Sequence, residues 1–282
     1  MRILLTNDDG IYAPGLAAMQ RELAKIAEVS VVAPATEQSG VGHSITFLTP
    51  LMAKEVFATE ADGSQRRLGW AVEGSPADCV KLGLAKFASV TEGDGSDDDA
   101  SAVAAPDLVV SGINGGLNVG INVLYSGTVA AASEAALNDV PAIAISLEYD
   151  DHARFDRAAV IATRVIAMMR ERNAWRDHLL YNVNIPTSAT ADSPGNEAPA
   201  PELLVCPMNV SPWPAVYDER RDPKNRRYYW AAGTLPDPDI NAESDLAGIR
   251  DGKVTLTPLS IDRTHTDHLP AMRDWNLSLR QE

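Results

Sequence analysis

Two adjacent carboxylates, Asp8 and Asp9, follow the apolar run Ile3-Leu4-Leu5 and stand immediately before Gly10. Acids at the end of a buried strand build a poor core, because an ionised carboxylate loses its hydration there. In open α/β sheets, however, ligands gather outside the carboxyl ends of the strands. The pair therefore marks a candidate site, the simpler alternative being a cap for the next helix. Two more polar positions each follow an apolar run of their own: Ser39 in the loop Thr36–Ser44, and Asn114 in Gly112-Ile-Asn-Gly-Gly116. Two carboxylates, a hydroxyl and an amide form an all-oxygen set for one hard divalent cation, foremost Mg²⁺ or Mn²⁺. Asp8, Asp9, Ser39 and Asn114 are the expected metal ligands, and Asp8, Asp9 and Asn114 the expected catalytic residues.

A fourth element is Ser126-Gly127-Thr128, ahead of an alanine-rich run. Two hydroxyls, a glycine and free N–H groups at a helix start make an anion site, although Thr128 taken alone fits a helix cap equally well. Gly40 lets a backbone approach the same anion. Cation and phosphate cradle together suggest phosphomonoester hydrolysis by metal-activated water. An aspartate nucleophile is the competing mechanism, but phosphatases of the haloacid-dehalogenase type space their acids as DxD, whereas here they are adjacent.

The elements that must position these groups read as β-α-β. Residues 2–6 and 29–33 have the character of buried parallel strands, and 14–27 carries Leu16, Met19, Leu23 and Ile26 at helical spacing. Strands at 45–58 and 68–73 suggest an edge hairpin, and Ser75 caps a helix running to about Phe87. Strands follow at 107–111, 142–146 and 179–185, the last read as the final core strand. Helices follow at 128–138 and 153–172. If strands 29–33 and 107–111 flank strand 2–6, the polar clusters meet at the carboxyl edge of the sheet. The fold class is α/β, a Rossmann-like three-layer core with a mostly parallel sheet. Residues 1–186 form the catalytic core, with an acidic Gly/Ser-rich insertion at 89–105. Residues 187–282 form an extension with short strands or a hairpin (226–231, 253–259), expected to act as an oligomerisation arm.

Composition narrows the function. The formal net charge of −15 over 282 residues disfavours duplex nucleic acid. No run of 18 apolar residues suggests a membrane span, and the N-terminus has no signal-peptide pattern, so the expected location is cytoplasmic. Cys79 and Cys206 lack CxxC spacing and read as core residues.

Asn7-Asp-Asp-Gly10, Ala13-Pro-Gly15, Ser39-Gly-Val-Gly-His-Ser44, Gly74-Ser-Pro-Ala-Asp-Cys79, Ser111-Gly-Ile-Asn114 and Tyr125-Ser-Gly-Thr-Val129 are collinear. So are Asn182-Val-Asn-Ile-Pro186, Tyr228-Tyr-Trp230 and Thr257-Pro-Leu259. This pattern resembles the SurE family of survival-protein nucleotidases. The resemblance implies a metal-dependent 5′(3′)-nucleotidase acting on nucleoside monophosphates, and homodimers or tetramers in which C-terminal segments reach across to neighbours. It places the family's metal ligands on Asp8, Asp9, Ser39 and Asn114. Departures occur at Ala35-Thr36, where the family carries an acid and an arginine, at Ile121-Asn122, and in the length of the acidic insertion. Two other function classes stay open: a broad phosphatase with exopolyphosphatase activity, and a nucleotide sensor without turnover.

Other residues invite bolder readings. His43 could protonate a leaving alkoxide, but orienting its own loop is the simpler role. His265 and His268 lack the further ligands of a zinc site. Trp213, Trp230 and Trp275 suit packing or subunit contact.

Overall fold

The structure, a computed structural model, describes residues 1–60, 62–87, 105–191, 201–212, 216–232 and 242–275. The acidic insertion lies almost entirely outside the described residues, as does Trp213.

In chain order the strands are β1 (Arg2–Thr6), β2 (Glu28–Pro34), β3 (Ala53–Thr59), β4 (Gln65–Val72), β5 (Leu108–Gly115), β6 (Ala142–Leu147), β7 (Leu180–Ile185), β8 (Leu203–Val205), β9 (Val216–Arg221), β10 (Arg227–Ala232) and β11 (Val254–Pro258). The helices are α1 (Pro14–Leu23), α2 (Pro76–Leu82), α3 (Gly127–Leu137), α4 (Phe155–Glu171), α5 (Thr187–Thr190), α6 (Asp245–Arg250) and α7 (Leu269–Arg273).

Nine strands make one sheet in the order β3-β4-β2-β1-β5-β6-β7-β11-β8, parallel except where β3 meets β4 and β7 meets β11. β1 pairs with β2 on one side and β5 on the other, so the chain reverses its winding direction around β1. That is the switch point at which the polar clusters were expected to meet.

The period of two along β1 divides the core. Ile3 and Leu5 join α1 and α4 on one face, while Leu4 joins α2 and α3 on the other. The alanines of α3 (Ala131, Ala132, Ala135) are fully buried, and their small side chains let this helix lie close to β5 and β6. Ser75 caps α2 in a reciprocal capping box with Asp78. Gly15, in the first turn of α1, approaches β5 so closely that a Cβ there would lie 2.0 Å from the Ile113 carbonyl oxygen.

Several expectations are corrected. The sheet does not end at β7, because β11 and β8 from the extension continue it. Of the expected strand 45–58 only residues 53–58 pair, within β3; residues 45–52 are irregular, with Phe47 and Leu48 exposed and the Thr46 N–H bonded to the Asp78 side chain instead of to a strand. The helix expected to reach Phe87 changes at Gly83 into one π-helical turn. β9 and β10 form a separate hairpin with exposed Tyr217, Tyr229 and Trp230. Cys79 and Cys206 are buried, free thiols.

Candidate active site

The loop after β1 places Asp8 and Asp9 at the carboxyl edge of the sheet, and hydrogen bonds tie each to a distant segment. Asp8, 5% exposed, accepts the Thr128 backbone N–H at Oδ2 (3.0 Å) and the Thr128 hydroxyl at Oδ1. Its backbone carbonyl accepts the N–H of Gln38 (2.8 Å), which brings the Ser39 loop alongside. Asp9 accepts the Gly115 N–H at Oδ2 (3.0 Å), bringing in the end of β5 beside Asn114. One dipeptide thus gathers all three other segments identified in the sequence.

Each segment has a local reason for its shape. Between Ser111 and Asn114 the pairing of β5 with β6 slips, an irregularity of the kind that re-aims a side chain at a strand end. Asn114 then donates its amide Nδ2 to the Gly116 carbonyl (2.7 Å), fixing which way the amide faces. Beyond it, Asn118 is held by Asn182, Asn184 and Ser146. The Asn182-Val-Asn184 motif on β7 therefore anchors the loop that follows Asn114. Ser126 is the N-cap of α3, its Oγ accepting the Val129 N–H (3.0 Å). Gly127 sits where a Cβ would lie 2.8 Å from Asp8 Cβ and 3.0 Å from Oδ2, so only glycine permits this approach. Gly40 has φ +70° with open space beside its backbone.

Burial dominates the electrostatics. Loss of hydration raises the Asp8 pKa from the ordinary 3.8 to about 6, against the Thr128 hydroxyl, which favours the ionised form. Asp9 is raised for the same first reason; the Gly115 N–H opposes the rise and the Glu37 charge adds to it. Two neighbouring acids held above their usual range lower their energy when a cation balances them.

The unused atoms fit such a cation. Asp9 Oδ1 and Asn114 Oδ1 have no hydrogen-bond partner among the described residues. Ser39 donates its hydroxyl proton to Glu37 Oε1 (2.6 Å), which leaves its oxygen lone pairs for a ligand. The donors are oxygens throughout, as a hard cation requires. No group of three His, Cys, Asp or Glu side chains suited to a metal occurs among the described residues. The candidate set relies instead on a hydroxyl and an amide, as the sequence suggested.

The expectation for Thr128 needs adjustment. Both of its donors are spent on Asp8, so the free donors at this helix start are the Gly127 N–H and the Ser126 O–H. Sequence reasoning also missed Gly115, whose role rests on a pairing across 106 residues that no local spacing signals, and Glu37, two residues from the Ser39 hydroxyl it accepts.

His43 lies elsewhere. Its Nε2 meets Glu134 Oε2 at 2.9 Å, and Lys81 meets the same carboxylate at 3.0 Å. These two bonds favour the ionised form of Glu134 and, against its burial, lower its pKa. His43 and Glu134 line a cavity of about 1020 Å³ that reaches Ser126 but none of Asp8, Asp9, Ser39 or Asn114. His265 and His268 pack edge to face, 5.9 Å between ring centres.

The family model described as Survival protein SurE matches residues 3–203. The chain belongs to the SurE family. A protein named 5′-nucleotidase SurE from Rhodopirellula baltica is 51% identical over 98% of this chain and 99% of its own length. One of the same name from Desulforudis audaxviator is 42% identical over 98% and 97%. The crystal structure of a SurE protein from Aquifex aeolicus superposes with a TM-score of 0.73 at 28% identity, covering 97% of this chain and 98% of that one. The mostly parallel nine-stranded sheet with flanking helices is accordingly a SurE fold.

Proposed function

We infer that this chain is a 5′-nucleotidase that hydrolyses nucleoside monophosphates to nucleoside and phosphate with the help of one divalent cation. The observation that carries the reading is that Asp8 meets the N-terminus of α3, a helix start suited to an anion, while the adjacent Asp9 meets the end of β5 beside Asn114, two carboxylates whose charge calls for a cation. Asp8, Asp9, Ser39 and Asn114 would hold the ion, Mg²⁺ or Mn²⁺. When bound, it lowers the pKa of a coordinated water and offsets charge on the phosphoryl group.

The chain's own groups do the rest. Gly127 N–H and Ser126 O–H, the free donors at the start of α3, would bind phosphoryl oxygens, and the open backbone at Gly40 would give that group room. Thr128 acts by keeping Asp8 oriented. Asp8 is buried and each of its oxygens accepts one bond from Thr128, which leaves a lone pair for the cation; a carboxylate committed to the cation favours water as the nucleophile. Inversion at phosphorus with a chiral phosphate is the corresponding result.

The exposed aromatic hairpin β9–β10 supports an oligomerisation role for this part of the extension 187–282, giving a homodimer or tetramer, while β8 and β11 of the same extension belong to the core built on 1–186. No helix among the described residues is long and apolar enough to cross a membrane. The acidic charge disfavours duplex nucleic-acid partners, and the cytoplasm is the proposed location.

Phosphate release from 5′- and 3′-nucleotides, polyphosphate and p-nitrophenyl phosphate, with and without EDTA, tests the function. Chelator-sensitive release from nucleotides supports it. Nucleotide binding without release would indicate a sensor, and equal release from every substrate a broad phosphatase.

A further inference from the structure

We propose that Tyr149 is the stacking platform for the nucleobase, and so sets the preference of this site for nucleotides over base-free sugar phosphates. This rests on the nucleotidase reading above. Tyr149 follows β6 at the same carboxyl edge as Asn114, and β6 is the immediate neighbour of β5. A Cβ built on Gly115 would lie 3.4 Å from Tyr149 Cδ2, and the N–H of that same Gly115 is bonded to Asp9. The ring therefore stands one residue from the candidate cation ligands.

Its inner side rests against Gly115 and Phe155, with 6.5 Å between the two aromatic centres. Yet 68% of the residue is open to solvent, and its hydroxyl has no partner among the described residues. Most of the ring surface thus stays free for a ligand. The backbone on either side is nevertheless fixed. Glu148 donates its backbone N–H to the Ile185 carbonyl (2.8 Å) and its side chain accepts the Thr187 N–H (3.0 Å), the Asp150 carbonyl accepts the Ala153 N–H (3.1 Å), and the one Thr187 hydroxyl proton is shared between the Glu148 and Asp150 carboxylates. Holding both neighbours in this way keeps the ring in place before a ligand arrives, which lowers the ordering cost of binding. A flat, neutral aromatic ring standing open beside the candidate cation ligands suits a purine or pyrimidine, because every base can stack on it. Glu148 and Asp150 flanking the ring are no obstacle to an uncharged base.

The test compares AMP with ribose 5-phosphate, which has the same phosphoryl group and sugar without the base. In wild type, kcat/KM should favour AMP. In Tyr149→Ala that preference should fall roughly 5- to 100-fold, mainly through KM for AMP, while Tyr149→Phe should keep it. An unchanged AMP preference in Tyr149→Ala overturns the proposal. So does a lost preference accompanied by a change in subunit number on gel filtration, which would assign the ring to a subunit contact. A wild type that releases phosphate from neither compound overturns the nucleotidase reading itself.

Discussion

Thr128 gives both of its hydrogen-bond donors to Asp8, the backbone N–H at 3.0 Å and the hydroxyl to the other carboxylate oxygen. The first turn of α3 thereby becomes the mount of a carboxylate 120 residues away in sequence. Thr128→Val keeps the shape and the N–H but removes the hydroxyl, so the Asp8 carboxylate becomes harder to ionise. Cation affinity is expected to fall about 10- to 100-fold, as is usual when a group behind a ligand is lost, with turnover largely recovered at saturating metal. Activity against metal concentration checks this.

The proximity of Gly127 to Asp8 makes a sharper prediction. In Gly127→Ala the added methyl would meet Asp8 at 2.8 Å, and the start of α3 must move. A displacement near 1 Å at a reacting centre costs on the order of 100-fold in rate. The expected outcome is a folded protein by circular dichroism with kcat/KM reduced by about that factor.

Asp8 also links the site to pH. Its folded pKa, about 6, lies above the ordinary 3.8, so its proton is held more tightly in the folded chain than in the unfolded one. Its contribution to stability is present below about pH 4 and is lost as pH rises through about 6, on the order of 2–3 kcal/mol without metal. Asp8→Asn removes that penalty. Metal-free Asp8→Asn should melt above metal-free wild type at pH 8, with the gap closing toward pH 4, while its hydrolysis falls by more than about 100-fold. Since a cation needs the carboxylate form, wild-type activity at limiting metal should drop as pH falls through 6 and return with excess metal. Thermal melts and pH–rate profiles at two metal concentrations measure both effects.

Much of this site is legible in the primary structure because strand ends and helix starts have local signatures. Asp8-Asp9-Gly10 after three apolar residues, and Ser126-Gly-Thr before an alanine run, mark their places without knowledge of any partner. The order β2-β1-β5 follows from buried parallel strands and right-handed crossovers. What escapes is decided by pairing across the chain. Nothing near Thr128 indicates that its donors turn toward Asp8 rather than outward to a phosphate. Likewise, nothing near residues 203–205 or 254–258 indicates that they complete the sheet. Asp245 is a similar case, an acid in an ordinary helix start that proves fully buried.

That residue carries a prediction of its own. Asp245 accepts backbone N–H groups from Gly120, Asn209 and Leu246, each at 2.8 Å, tying the loop ahead of Ser126 to the extension. Asp245→Ala leaves these buried donors unpaired and should cost about 2–5 kcal/mol. Urea unfolding should show a lower midpoint with little change in slope.

The most direct measurement is titration calorimetry of Mn²⁺ into the chelator-stripped chain, run beside phosphate release from AMP on the same samples. One ion per chain should bind to wild type and fail to bind to Asp8→Asn and Asn114→Ala, with phosphate release tracking occupancy. Full release from AMP by the stripped protein, or unaltered Mn²⁺ binding in both variants, would contradict a cation held between Asp8, Asp9, Ser39 and Asn114.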